Sequence, residues 1–390
     1  MKRGHDIPGM AIARSGVLYA HHAMYEWLLR PALFRSSAQV THERLLRWLR
    51  WADGQPWLHP VLGFSRRAAF PPMQMTAGGV TLASPLILAA GLVKGDGFET
   101  ETVALDAVRR GRNIIPGWRC LPRLVGLVEF GSFTRWPRLG NSGTVVWRDV
   151  PTRSTQNRVG LRNPGAVAAA AFLEAHRREL PAQFGINVAV SPGVDDPSQQ
   201  TEEVLAALSA FIERGVHPTW FTLNLSCPNA EDDPRGHQTA EEARQICGAV
   251  IDRLRSAGQE SGSVIPLWVK VGPDLGDGQY RTLMRVFQET GVRAVVATNT
   301  LPMPSPDDPG VTAGVGGGRL HSRTVEVATL LMQEKLAQGY QVDVIGCGGV
   351  QDGATYRDFA RLGIMAVQYW TALVYRGPLA AALIINEAGE

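Results

Sequence analysis

Two amides, a hydroxyl and a thiol leave one apolar stretch in close succession: Asn224, Ser226, Cys227 and Asn229. The lead-in Trp220, Phe221, Thr222 and Leu223 reads as a buried strand, and Pro228 breaks it. Such a cluster on rigid backbone suits a small planar substrate that is hydrogen-bonded along several edges while one proton is removed. Taken alone, the same residues fit equally well an Asn-Pro turn with a buried structural cysteine.

The elements around the cluster weigh between these readings. Val80–Leu82 is a short entry strand. Apolar runs then recur at 86–91, 124–133, 184–190, 220–227, 266–272, 294–300, 342–349 and 366–373, most ending in Gly, Asn, Ser or Thr. Helical stretches such as Glu202–Arg214 and Thr239–Ala257 separate them. Eight strands with crossovers argue for a parallel (β/α)8 TIM barrel, an α/β fold, over an open doubly wound sheet. No GxGxxG follows the first strand, which weakens the dinucleotide-binding alternative. The strand ends are polar in turn: Lys94, Ser132, Asn187, Asn224 with Cys227, Lys270, Thr298-Asn299-Thr300, Gly348-Gly349 and Thr371. Each has an ordinary explanation, such as a rim lysine, a turn asparagine or a packing glycine. Their recurrence at the same place in successive strands is what a barrel would make converge.

Composition sets the bounds. A hydrophobic fraction of 45% and a charged fraction of 19% are those of a folded globular chain. The 390 residues allow one large domain with an appendage. Cys120, Cys227, Cys247 and Cys347 have no CxxC or framework spacing, which argues against a disulfide scaffold or a metal site and for a reducing compartment. No apolar run is long enough to span a bilayer as a helix. Residues 1–70 hold ten Lys/Arg against four acids, a formal +6, so the remainder of this +3 chain carries −3. The same stretch contains Trp27, Trp48, Trp51 and Trp57. It reads as two short amphipathic helices around a break at Pro31, the second capped by Ser36 or Ser37. Aromatic and leucine anchors beside arginines fit a helix lying in a membrane interface. A helical hairpin packed on the barrel and a targeting segment are the alternatives. No nucleic-acid-binding module accompanies the basic stretch. We therefore expect an N-terminal helical region over 1–71 and a barrel over 72–390.

Together these residues resemble the dihydroorotate dehydrogenases, FMN-dependent (β/α)8 enzymes of pyrimidine synthesis. The resemblance runs through Ala89-Ala-Gly-Leu-Val-Lys94, Gly131-Ser-Phe-Thr134, Asn157-Arg-Val-Gly-Leu161, Gly185-Ile-Asn187 and Asn224–Asn229. It continues through Lys270-Val-Gly-Pro-Asp-Leu275, Ala297-Thr-Asn-Thr300, Ile345-Gly-Cys-Gly-Gly349, Val367-Gln368 and Tyr375-Arg-Gly-Pro378. It implies that Cys227 is the base. Orotate would be held by Lys94, Asn157, Arg158, Val159, Gly160, Leu161, Asn224, Asn229, Asn299 and Thr300. FMN would be held at its ring by Ala90, Gly91, Ser132, Asn187, Asn224, Lys270 and Thr298. On the phosphate side the matching residues are Gly317, Gly348, Gly349, Trp370 and Thr371. No metal is implied, and nothing here bears on oligomeric state.

Glu26-Trp-Leu-Leu-Arg-Pro-Ala-Leu-Phe34 with His42 resembles the membrane-associated, quinone-using branch, in which two helices form the mouth of a quinone tunnel. That implies a membrane quinone as electron acceptor and peripheral attachment through residues 1–70. The expected location is the cytoplasmic face of a bacterial inner membrane, or the mitochondrial inner membrane in a eukaryote. Several positions depart from that branch. Cys227 stands where it has serine, Leu161 where it has phenylalanine, Val145 where an arginine falls, and Ala230 where it has threonine. Val93 replaces an aspartate and Trp370 a tyrosine. These departures leave open a related flavin dehydrogenase or reductase acting on another cyclic amide or enone, and a low-turnover flavin-binding protein at a membrane surface.

Overall fold

The computed structural model describes residues 2–3, 8–225 and 239–389. Its centre is a closed parallel barrel of eight strands: β1 (Leu86–Leu88), β2 (Leu127–Phe133), β3 (Gly185–Ala189), β4 (Trp220–Asn224), β5 (Leu267–Val271), β6 (Ala294–Ala297), β7 (Asp343–Cys347) and β8 (Val367–Tyr369). The ring closes where β8 pairs with β1, Tyr369 opposite Leu88, while Ile87 on the other side meets Leu127 of β2. Strands β2 to β5 are buried along their whole length, as parallel strands covered on both faces must be. Helices pack outside and share one large core with the strands, while inward-facing residues such as Ile87, Trp220, Trp268 and Ile345 form a second cluster with Met75 and Leu82.

At the strand starts, a hairpin of Met73–Ala77 and Val80–Leu82 plugs the barrel. The indoles of Trp220 and Trp268 stack above it with ring centroids 4.5 Å apart, and Trp268 Nε1 donates to Gly78 O at 2.9 Å. At the opposite end, four antiparallel strands form a lid-like sheet in the order Leu301–Pro304, Thr312–Gly317, Ser154–Asn157, Val146–Asp149. This sheet is not legible in the sequence. Pro302 and Pro304 remove ladder donors, and Gly314, Gly316 and Gly317 read as loop, so the alternating pattern is hidden.

Four helices precede the plug: α1 (Pro8–Met24), α2 (Arg30–Phe34), α3 (Ala38–Asp53) and α4 (Leu58–Ala69). The break expected at Pro31 is absent. A π-helical turn, Tyr25–Leu29, joins α1 to α2, and Pro31 sits in the first turn of α2. The widened turn accommodates the proline ring and its missing N–H without stopping the helix. The chain breaks instead at residues 35–37, where Ser37 Oγ accepts from Val40 N at 3.3 Å and caps α3. Leu18 of α1 packs with Ala69, Leu379, Ala382 and Leu383, and Tyr25 Oη donates to Val374 O at 2.8 Å. Several expected strand ends are also shorter. β4 stops at Asn224, β6 at Ala297, and β8 gives way at Thr371 to a helix, α5 (Thr371–Arg376).

Candidate active site

The strand C-termini and the antiparallel sheet enclose one cleft of about 1190 Å³, its open mouth included. Pairing register explains what meets there. Lys270 lies opposite Asn224, and Asn224 opposite Ala189, so neighbouring strands deliver polar side chains to one layer. In the sheet above, Asn157 pairs with Gly314, and Gly317 with Ser154, which carries both motifs over the barrel mouth.

Of the residues singled out from sequence, Ala90, Gly91, Lys94, Ser132, Asn157, Val159, Gly160, Leu161 and Asn224 line the cleft. So do Lys270, Thr298, Asn299, Thr300, Gly317, Gly348, Gly349, Trp370 and Thr371. Two do not. The Arg158 guanidinium turns outward, Nη2 donating to Ser142 O at 3.0 Å and Nε to Thr144 O at 3.3 Å, while its neighbours Asn157 and Val159 line the cleft. Asn187 is not among the lining residues; it is fully buried on β3, its Nδ2 donating to Glu129 Oε1 at 2.9 Å while its Oδ1 has no partner. Cys227 and Asn229 lie outside the described residues, as does the position of Ala230.

The cleft floor is tightly specified. Lys270 is 6% exposed and its Nζ donates to Gln368 Oε1 at 3.2 Å. Asn299 Oδ1 accepts from Thr300 N at 2.9 Å, and the hydroxyls of Thr155 and Thr371 meet at 3.0 Å. Three buried polar atoms nonetheless have no hydrogen-bond partner: Asn187 Oδ1, Thr300 Oγ1 and Tyr369 Oη. Other buried side-chain atoms outside the cleft, Arg119 Nε and Glu203 Oε2 among them, also lack a partner; those of Thr300 and Tyr369 belong to residues that line the cleft and are available to a bound group. Gly348 adopts a φ of +146°, and a Cβ there would stand 2.2 Å from Thr324 Oγ1. Only glycine fits, so bare backbone faces the cleft at Gly348-Gly349 and Gly316-Gly317, the device expected beside a phosphate. The polar lining and the bare glycine backbone thus fit a phosphate-bearing cofactor together with a small polar substrate.

His42 on α3 and Val146 of the antiparallel sheet also line the cleft, so the N-terminal helices reach its wall. Burial, then the charges of Lys94 and Arg162, disfavour the His42 imidazolium and lower its pKa to about 4. Cys347 at the end of β7 lines the floor, its thiol pKa pushed up by burial and partly drawn back by Lys270. Gln368, Thr155 and Cys347 also line the cleft, beyond the residues expected there from sequence. Gln368 carried a signal, a lone amide inside the apolar run Ala366–Tyr369.

The family model for dihydroorotate dehydrogenase matches residues 118–390. The chain belongs to the dihydroorotate dehydrogenase family. It is accordingly a flavin-dependent oxidoreductase acting on a CH–CH bond. It is 30% identical over 366 residues to dihydroorotate dehydrogenase (quinone) of Chromobacterium violaceum, covering 90% of this chain and 94% of that one. The Bordetella avium protein of the same name is also 30% identical, covering 90% and 93%. Among solved structures, dihydroorotate dehydrogenase of Eimeria tenella in complex with ferulenol superposes with a TM-score of 0.67 at 22% identity, over 86% of this chain and 90% of that one. That likeness bears on the fold. Among the described residues no helix is long and apolar enough to cross a membrane.

Proposed function

We propose that this chain oxidises dihydroorotate to orotate with FMN and passes the electrons to a membrane quinone. The observation that carries the reading is the convergence of Lys94, Asn157, Asn224, Asn299 and Thr300 on one cleft whose floor holds Lys270 and whose side is the glycine backbone at 317 and 348–349. FMN, when bound, supplies a hydride acceptor at N5 for the hydrogen leaving substrate C6. The Lys94 ammonium pairs with the substrate carboxylate, and the amides of Asn157, Asn224 and Asn299 meet its ring carbonyls and N–H groups. A site that satisfies so many polar edges rejects analogues lacking them. Cys227, three residues beyond Asn224, takes the C5 proton; its thiol needs modest activation or a water relay near neutral pH. Lys270 stabilises the negative charge that accumulates at the floor on reduction. Ser132, Thr298 and Thr371 orient the ring and phosphate ends.

For the second half-reaction we propose that α2, α3 and residues 1–71 as a whole form the quinone entrance at a membrane surface. His42 reaches the cleft wall, and Trp27, Leu28, Trp48, Trp51, Trp57 and Phe64 are exposed on these helices. The cytoplasmic face of a bacterial inner membrane is the location this implies. An anaerobic titration decides. The yellow protein should bleach with dihydroorotate and recolour with a short-chain ubiquinone; FMN that stays oxidised overturns the substrate assignment.

A further inference from the structure

The barrel interior contains a carboxylate that the proposed reaction does not use. Glu129 lies in mid-β2, fully buried between Val128 and Phe130. Its Oε2 accepts from Trp220 Nε1 at 2.9 Å, Thr222 Oγ1 at 2.6 Å and Gln368 Nε2 at 3.0 Å, and its Oε1 accepts from Asn187 Nδ2 at 2.9 Å. An indole N–H can only donate, and a carboxylate can only accept. Both amides beside it must therefore turn nitrogen inward and oxygen away. Each oxygen then has a defined task. Gln368 Oε1 accepts from Lys270 Nζ at the cleft floor. Asn187 Oδ1 is left buried with no partner.

We propose that Glu129 is a positioning residue that sets the hydrogen-bond polarity and the charge balance of the flavin site. This rests on the FMN reading above. Through Asn187 it leaves an acceptor for the cofactor, and an oxidised flavin ring carries one N–H, at N3, among several acceptor atoms. Through Gln368 it holds the Lys270 ammonium in place. Its negative charge also opposes part of the lysine's positive charge, since both groups are buried and less screened than at the surface. Reduction of bound FMN by two electrons and one proton adds negative charge to the site. Glu129 therefore holds the potential lower than Lys270 alone would.

Glu129→Gln tests this. Its oxygen can remain on the Trp220 side, but its NH2 then confronts Asn187 Nδ2 and forces that amide to flip. We expect FMN affinity to fall at least tenfold. We expect the midpoint potential, measured in the holoenzyme by slow enzymatic reduction against a reference dye, to rise. A tenfold shift toward reduced flavin is about 30 mV for a two-electron couple. Trp220→Phe removes a donor from the same carboxylate yet touches neither amide, so its potential should match wild type even if it melts earlier. Should Glu129→Gln fail to fold or load FMN, Gln368→Met keeps the carboxylate but cuts its link to Lys270, and the potential should fall by a similar amount. A wild-type protein that loads FMN, with both variants at its potential, overturns this inference alone. A wild-type protein that binds no FMN overturns the cofactor reading as well.

Discussion

A thiol three residues past Asn224 makes the sharpest claim at the scale of single residues. Replacing Cys227 by serine keeps a proton acceptor of the same reach, so anaerobic flavin reduction by dihydroorotate should persist at a lower rate. Cys227→Ala should slow it by about 10²- to 10⁴-fold, the usual contribution of a positioned base, read by stopped-flow absorbance. Equal rates for alanine and wild type would remove Cys227 as the base. His42 makes a second claim. Its pKa of about 4 lies below the ordinary 6.5, so the folded state resists protonation more than the unfolded chain does. This costs nothing above pH 6.5, and stability drains away as pH falls from about 6.5 to about 4, by about 1–3 kcal/mol. Urea unfolding of His42→Asn between pH 7 and 4 should show a shallower loss than wild type; parallel curves would refute it. Residue by residue, most of the cleft lining was legible because polar side chains at strand ends stand out against apolar runs. The outward turn of the Arg158 side chain was not legible, because a motif gives spacing and not side-chain direction. Glu129 passed unnoticed because one acid in the apolar run 127–130 gives no hint of its four donors.

Helices and strands were legible where periodicity was unbroken, and failed where backbone chemistry interrupted it. Thr239 and Glu242 form a capping box on the helix Ala240–Ser261, close to the expected start. Pro31 misled, because a π-helical turn absorbs it. The antiparallel sheet at the barrel mouth stayed hidden under its prolines and glycines, and with it Thr155. One inter-element joint has no sequence signature. Asp53, the last residue of α3, is 4% exposed and accepts from Asn113 Nδ2 at 2.8 Å and from Gly117 N, Arg119 N and Cys120 N at 2.7, 3.2 and 2.9 Å. It ties the N-terminal helices to residues 113–120, which follow the helix Glu101–Arg109. Asp53→Ala would strand those four donors, a loss of about 3–5 kcal/mol. Asp53→Asn, which keeps one acceptor oxygen, should lose less. Equal urea midpoints for the two variants would show that the joint is held by packing alone.

Across the whole molecule, the N-terminal helices are both part of the barrel's core and its most apolar surface. Leu49 and Ala52 of α3 are fully buried in the main core, so excising residues 1–70 would damage the barrel along with any quinone entrance. A better dissection leaves the helices in place and alters their outer face. On α4 and the turn before it, Trp57, Val61 and Phe64 follow helical spacing and are 62%, 52% and 66% exposed. Arg66, Arg67, Arg119 and Arg123 border the adjoining cleft. Burial disfavours the charge on Arg66, and burial together with Arg119 that on Arg123. An apolar stripe beside crowded guanidinium groups has the form of a helix that sinks into an anionic lipid surface. The protein should float with vesicles containing phosphatidylglycerol and should bind neutral phosphatidylcholine vesicles far less. Raising salt should weaken the binding, since surface charges are screened within about 10 Å at 0.1 M. The double variant Trp57→Glu, Phe64→Glu should lower vesicle binding at least tenfold and raise the apparent KM for a long-tailed quinone. Flavin reduction by dihydroorotate should stay at the wild-type rate, because neither residue approaches the cleft. Unchanged flotation with this variant would move the membrane contact away from α4, to the exposed Trp27, Leu28 and Leu29 at the junction of α1 and α2.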